Sequence, residues 1–405
     1  MSSSFGSTIT YTLFGESHSP AIGITIQGLP AGFTFDFEQI HAVLDLRRGG
    51  KVFNTTRSER DTYDILSGYF NDQTTGSPLT IIFPNSDVQS KDYRQFGDQP
   101  RPGHADHVAA TKYNEANDYR GGGHFSGRIT TPLVFFGAMA RQLIQAQYPA
   151  FAIHSHIKQL HNIKDTNYYD LRRQMIDAIF NADHADSLLD SYTVSQTHNS
   201  ATINEKYTTV MANIQTIFSQ TDKSFPLLDN DKKRQMVSLL AHIVESQSSI
   251  GGNIETVVFQ PPLSLGEPFF HSVESIISSL LFSIGSVKGV TFGYGHDFIT
   301  ATGVEVKDEI IQISDDKIST LYNYNGGING GITNGEDIVI STTLKPISSI
   351  QALQHTFHTG TKKIEPLSVN GRHDATIINR VIPVIESVVA IALYDLIRTH
   401  SQQAK

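Results

Sequence analysis

Between Arg101 and Arg128 the sequence reads RPGHADHVAATKYNEANDYRGGGHFSGR, which holds three Arg, three His (His104, His107 and His124) and the triplet Gly121-Gly122-Gly123. Histidine exchanges a proton near neutral pH, and guanidinium groups pair with phosphate or carboxylate. A glycine triplet belongs where backbone takes unusual dihedrals or approaches something closely. Two further segments place an ionisable residue in a turn, His18 in FGESHSP and Asp374 in GRHD. Arg47, Arg48, Arg101, Arg120, Arg128, Lys345 and Arg372 stand in or beside turns as well. Brought together, these groups would bind a multiply anionic small molecule and supply a histidine acid. Two other readings use the same residues. His104-x-Asp106-His107, with His18 or Asp374, could ligate a metal for hydrolysis, although the neighbouring guanidinium groups would repel a dication. A non-catalytic anion-binding protein would use the arginines and leave the histidines without a role.

Composition narrows the classes. A net charge of −9 over 405 residues argues against a general nucleic-acid or anionic-membrane binder. Any anion site must therefore be a local basic pocket in an acidic protein. The absence of Cys rules out disulfides, thiolate metal sites and a Cys nucleophile, and fits a reducing compartment. No apolar run reaches membrane-spanning length, since Val381 to Ile397 is interrupted by Pro383, Glu386 and Asp395. The start, MSSSFGSTITY, lacks the basic and apolar regions of a signal peptide. A cytoplasmic protein is expected, and length alone allows roughly two to three domains.

The elements that must position these residues can be read in part. Thr8 to Leu13 and the alternating Ile22, Ile24 and Ile26 predict strands on either side of His18. Asp36 is placed to cap a helix through Ile40 and Leu44, with Arg47 and Arg48 at its end, where they also complement the helix dipole. Pro132 starts an amphipathic helix through Phe135, Phe136 and Met139. From about 154 to 249 glycine is absent and charged and amide residues dominate, which predicts a helical, polar insertion. Asn253 to Phe259, the stretch beginning at Lys288 and Ile338 to Leu344 predict strands, and Val273 to Ile284 a helix. The loop NGGINGGITNG lacks the strand-to-helix setting of a dinucleotide fingerprint. Lys345 followed by Ser348 and Ser349 would suit a phosphate at a strand end. Ile385, Val388, Val389, Ala392, Leu393, Leu396 and Ile397 form a wide stripe on the strongest helix in the chain. Short strands and helices in mixed order predict an α+β fold.

Several motifs occur together in one order: FGESHSPAIG, LRRGG, TTRSERDTYDILSGYF, TTG, NSDVQSKDY, RPGHAD, RGGG, GEPFF, SIGSVKGVTFG, NGGINGGITNG, LKPISSI and GRHDATIINRVIPVIES. In this order, over nearly the whole length, the chain resembles the chorismate synthase family. The resemblance implies an α+β sandwich, with helices enclosed between two antiparallel sheets, as a single domain assembled into a homotetramer. It implies a lyase that converts 5-enolpyruvylshikimate 3-phosphate to chorismate and phosphate by anti-1,4-elimination, at the end of the shikimate pathway to aromatic amino acids. Reduced FMN is required although there is no net redox change.

On that resemblance His18 and His104 are the two acid histidines, and Asp374 is the carboxylate that works with flavin N5. The flavin would be met by Ser17, by His124, Phe125 and Ser126 after the triplet, and by Gly285, Ser286 and Gly330. Lys345, Pro346, Ile347, Ser348, Ser349 and Arg372 complete that set. Arg47, Arg48, Arg101 and Arg128 would face the substrate anions, Arg47 and Arg48 alternatively a nicotinamide (NADP) cofactor. Nothing in the sequence marks an NADPH site, so an external flavin reductant is expected. The sequence departs from the family after the triplet: Arg-Ser-Ser-Ala-Arg-Glu-Thr becomes His124-Phe125-Ser126-Gly127-Arg128-Ile129-Thr130, which keeps one Ser and one Arg.

Overall fold

A computed structural model of the chain describes residues 3–48, 61–85, 95–180, 200–314, 317–369 and 374–403. The first sheet comprises β1 (Ser4–Phe5), β2 (Thr10–Phe14), β3 (Ala21–Gln27), β4 (Asp64–Ser67) and β5 (Leu79–Pro84), in the order β1-β2-β3-β5-β4 and antiparallel throughout. The second comprises β6 (Ala152–Leu160), β7 (Ile163–Lys164), β8 (Gly252–Phe259), β9 (Val287–Phe292) and β10 (Ile338–Leu344), in the order β9-β10-β8-β6-β7, also antiparallel. The helices are α1 (Phe37–Arg47), α2 (Asp106–Lys112), α3 (Thr131–Gln145), α4 (Tyr168–Phe180), α5 (Ser200–Ser219), α6 (Asn230–Glu245), α7 (Val273–Ser283) and α8 (Ile378–Gln403).

Helix α3 packs on β3 and β5 of the first sheet, while α8 packs on β6 and β8 of the second, and α3 and α8 lie against each other. The helices are thus enclosed between two antiparallel sheets, as an α+β sandwich. Their sequences suit that place. Nearly every position of α3 is buried, including Phe135, Phe136 and Met139. The stripe on α8 buries Ile385, Val388, Val389, Ala392 and Leu393 in the same core. Gly137 lets the two helices meet, because a Cβ there would stand 2.2 Å from Cβ of Ser387. Asp36 caps α1 as expected, accepting from the backbone N–H groups of Glu38 and Gln39 at 3.0 and 3.1 Å.

The expected insertion at 154–249 needs redrawing. Residues 152–160 form β6, which pairs along most of β8 and belongs to the second sheet. Its polar look has a physical cause. Ile153 and Ile157 enter the main core, whereas the alternate residues His156 and Lys158 face a buried carboxylate, Glu255 of β8. His156 also bonds Asp165 at 2.9 Å, and Lys158 reaches Ser341 at 3.1 Å. The helical part, α4 to α6, is not set apart from the sandwich: residues of α4 and α5, among them Tyr168, Tyr207, Val210 and Ile214, join Val257, Phe259 and Val339 of the second sheet in a second core.

Helix α8 also anchors the start of the chain. Asp395, 6% exposed, accepts from the backbone N–H groups of Ser7, Thr8 and Ile9, each at 2.8 Å. Asp395→Ala would leave these donors without their acceptor beside β2, and a loss of about 2–4 kcal/mol is expected. Urea unfolding monitored by circular dichroism reads it directly; a midpoint unchanged from the parent would contradict this anchoring.

Candidate active site

A cavity of about 1080 Å³ opens where the strand turn after β2, the 101–128 segment, the end of α7, the loop after β10 and the start of α8 meet. That volume suffices for two small-molecule ligands side by side. Among the described residues its wall carries Arg47, Arg48, Arg101, Arg128, Arg380, Lys288 and Lys345 against one carboxylate, Asp374. In a chain of net charge −9 this concentration of cations makes the cavity an anion site. The guanidinium Nε atoms of Arg47 and Arg48 are buried with no hydrogen-bond partner among the described residues, as expected where an anion is to be received.

The glycine triplet does more local work than the sequence suggests. All three glycines have positive φ: 62°, 84° and 54°. A Cβ on Gly121 would stand 2.4 Å from His18 Cδ2 and 2.8 Å from Ser17 Oγ, and one on Gly122 would stand 3.6 Å from His104 Nε2. A Cβ on Gly123 would fall 1.8 Å from the carbonyl oxygen of Asp118. The N–H of Ser17 donates to the carbonyl of Gly123 at 3.2 Å, which fixes the His18 turn to the triplet. The close approach inferred from glycine is therefore made first to the two histidines. Gly121→Ala should displace His18 and lower kcat/KM by about 10²-fold, the cost of a misplacement of roughly 1 Å. Gly127→Ala, where a Cβ meets nothing within 4 Å, is the matched control and should stay near the parent rate.

Asp106 is the residue that sequence reading left without a role outside a metal site. Its carboxylate accepts from Arg101 Nε at 2.8 Å, Arg101 NH2 at 2.8 Å and the Arg101 backbone N–H at 3.0 Å, and meets His104 Nδ1 at 2.6 Å. Burial would raise its pKa, but the hydrogen bonds from Arg101 and His104 win and hold it well below the usual carboxylate range. Arg101 also donates to Ser349 Oγ at 3.0 Å and stacks over Phe96, 4.5 Å from the ring centre. Expected to face substrate, Arg101 instead gives most of its donors to the protein. Lys345 bonds the carbonyl of Gly103 and reaches Ser348 Oγ at 3.1 Å, so the His104 loop is clasped by the segment after β10.

Asp61 is a second residue the sequence did not single out. Its buried carboxylate bridges Arg47, at 2.9 Å, and Arg128. Arg128 also donates to Asn85 Oδ1 at 3.1 Å and to the carbonyl of Pro84 at 3.2 Å. Burial pulls the Arg47 pKa down, with Asp61 opposing it and Arg380 and Arg128 adding to it. A guanidinium remains charged under that load. Arg48 pairs with Asp45 at 2.8 Å. Asp374 is held by Arg380 of α8 at 2.7 Å, and Arg380 Nε donates to the carbonyl of Arg47 at 3.2 Å. Arg380 thereby links the acid to the end of α1.

Around this cavity the structure gathers Ser17, His18, Arg47, Arg48, Arg101, His104, His124, Phe125, Ser126, Arg128, Gly285, Ser286, Lys345, Ile347, Ser348, Ser349 and Asp374. Pro346 is exposed and turns away from it, between Lys345 and Ile347. Gly330 is elsewhere in this chain. It sits in the hairpin that pairs Ile328 with Thr333, and Val273 N–H donates to the neighbouring Gly331 carbonyl at 3.0 Å. That contact holds the hairpin at the start of α7, whereas the cavity is lined from the other end of that helix. Arg372, with Gly371 and His373, lies outside the described residues, as do Gly49 and Gly50. No cluster of metal-binding side chains occurs among the described residues, and His104 and Asp106, the core of the rival metal reading, are bonded to each other and to Arg101.

The chain is similar to known proteins in sequence and in fold. The family model for chorismate synthase matches residues 9–397. The chain is 35% identical over 392 residues to a chorismate synthase of Chitinophaga pinensis, covering 97% of this chain and 95% of the relative. It is 35% identical over 396 residues to one of Lancefieldella parvula, covering 98% and 96%. A similar match, 35% over 398 residues, is found to one of Methanococcus vannielii, covering 98% and 96%. In fold it resembles a crystal structure of chorismate synthase with a TM-score of 0.64 at 23% identity, covering 98% of this chain and 93% of that one.

Proposed function

The chain belongs to the chorismate synthase family and is a chorismate-forming lyase, and from that premise we propose how its cavity works. The substrate is 5-enolpyruvylshikimate 3-phosphate, and the reaction is the anti-1,4-elimination that releases phosphate and leaves chorismate, within the shikimate pathway. The observation that carries this reading is the seven cationic side chains, three histidines and single carboxylate around one cavity. Arg47 and Arg128, braced by Asp61, and Arg48 bind the phosphate and carboxylates of the substrate. His104 gives a proton to the leaving phosphate. His18, held against Gly121, serves the flavin side as the second acid. Asp374, oriented by Arg380, takes the ring proton.

Reduced FMN fits the remaining wall. Gly285, Ser286, Ser126, Ser348, Ser349 and Lys345 offer polar contacts, while Phe125, Leu133, Ile284, Ile377 and Val384 give an apolar side for a planar ring. A Cβ at Gly285 would meet nothing within 4 Å, so the wall there is open. When bound, the reduced flavin would supply electron density to the substrate ring as the allylic phosphate departs. The protein's part is to neutralise the released phosphate in a basic, water-poor space and to hold the three proton-exchanging groups in place. We take the flavin to be reduced by an external donor and the enzyme to work in the cytoplasm as a homotetramer. Phe269 and Phe270, 87% and 86% exposed, fit burial against further copies.

One assay separates this reading from its rivals. The chain is incubated anaerobically with the phosphorylated substrate, with and without reduced FMN and with and without chelator. Phosphate and chorismate are expected together, only with reduced FMN, and indifferent to chelator. Chelator-sensitive phosphate release without flavin would identify a hydrolase, and binding with no turnover a degenerate paralogue.

A further inference from the structure

We propose that Asp106 is a positioning residue that sets the tautomer of His104, an inference that rests on the reading of His104 as the acid for the leaving phosphate. The Asp106 side chain is 4% exposed. Its two oxygens are filled as two pairs: Oδ2 by the backbone N–H and Nε of Arg101, Oδ1 by Arg101 NH2 and His104 Nδ1. Arg101 has only donors, so every hydrogen it points at Asp106 demands an oxygen lone pair. The His104 Nδ1 atom stands 3.1 Å from Arg101 NH2 as well as 2.6 Å from Oδ1. A bare Nδ1 would leave it facing a carboxylate lone pair at 2.6 Å. A protonated Nδ1 donates to Oδ1 at this shorter distance, and Arg101 NH2 gives its hydrogen to the same oxygen at 2.8 Å instead of to Nδ1. The neutral ring therefore carries its hydrogen on Nδ1, and the acid form adds the second on Nε2, the nitrogen left to the cavity.

The proton count follows. In the elimination the Nε2–H bond breaks and an O–H bond forms on the leaving phosphate. The Nδ1–H stays with Asp106, and the neutral ring that remains is the tautomer the clamp already selects. Solvent returns the proton before the next turnover. No reorientation of the ring is needed, since Arg101 fixes Asp106 and is itself tied to Ser349 and Phe96.

Asparagine shows what is at stake. With one acceptor oxygen, Asn at this position must give that oxygen to the Arg101 N–H and Nε pair or to the NH2 and Nδ1 pair. The first choice turns the amide hydrogens onto His104, and Nδ1 must then be bare and accept. The neutral ring flips to the Nε2–H tautomer, which cannot return to the acid form without breaking the new bond. The second choice sets amide hydrogens against two Arg101 donors, so the first prevails.

The test uses the full chain labelled with nitrogen-15 in histidine, without ligands, at a pH where His104 is neutral. The parent should show the hydrogen on Nδ1, and Asp106→Asn should move it to Nε2 with a fall in kcat of about 10²-fold. Asp106→Glu, which keeps two acceptor oxygens, should retain the Nδ1–H tautomer and recover part of the rate; it also serves if the Asn variant does not fold. Adding Asp106→Asn to His104→Ala should slow that variant no further. A parent ring with its hydrogen on Nε2, an Asn variant that keeps Nδ1–H, or a further loss in the double variant would overturn the proposal. If His104→Ala alone kept full activity, the acid reading would fail, while the nitrogen signals would still decide whether Asp106 sets the tautomer.

Discussion

His104→Ala is expected to lower kcat for chorismate formation by about 10²–10⁴-fold, the range for removal of a positioned general acid, while the affinity for reduced FMN stays near that of the parent. The ring stands on the cavity wall against Gly122 of the triplet, and its Nδ1 side is closed by Asp106. Truncation removes the proton donor and leaves the cations that hold the substrate. Arg101 keeps its bonds to Asp106 and Ser349, so the loop should survive the change. Steady-state kinetics with flavin titration reads both quantities. An unchanged kcat would remove His104 from the reaction, and a proportional loss of flavin binding would make it a binding residue.

The largest effect on stability should come from Arg172→Ala, a loss of about 3–5 kcal/mol. Arg172 is fully buried in the lobe on the outer side of the second sheet. Its guanidinium donates to Tyr168 OH at 2.7 Å, to the carbonyls of Thr320 and Leu321 at 2.6 and 3.2 Å, and to Glu336 at 3.1 Å, and it also bonds Tyr207. Alanine strips these groups of their donor and leaves Glu336 beside Asp337 without a cation. Burial first, then Glu336, already pushes the Asp337 carboxyl up to about 6, with Arg172 opposing. That value lies above the ~3.9 of an unfolded Asp, so protonated Asp337 stabilises the fold at low pH and the contribution fades as pH rises through about 6. The deficit of the variant should therefore be larger at pH 7 than at pH 5. Urea unfolding at the two pH values measures it. A loss under about 1 kcal/mol, or the opposite pH trend, would show that the lobe does not depend on this network.

Local patterns carried much of the architecture. The α8 stripe, the Asp36 cap, Pro132 at the start of α3 and the alternation in β3 each act within one element, and each is found where its pattern places it. What the sequence hid depends on partners far along the chain. Asp61 shares a carboxylate between Arg47 and Arg128, and nothing near Asp61 marks it for that task. Strand β6 reads as polar because His156 and Lys158 are buried against Glu255, some hundred residues further on. Gly330 sits in a loop as glycine-rich as the triplet, yet backbone contact holds it at the far end of α7 from the cavity. Asp106 was visible as part of HAD, but the same three letters serve a metal site or an acid clamp. The Arg101 side chain decides between them by supplying hydrogens where a metal would need lone pairs.

The most direct measurement counts products against flavin. With 5-enolpyruvylshikimate 3-phosphate in excess and reduced FMN well below it, chorismate and phosphate should appear in equal amounts and exceed the flavin many times over, since the reaction has no net redox change. Phosphate without chorismate, or chorismate that stops at one equivalent of flavin, would contradict the account.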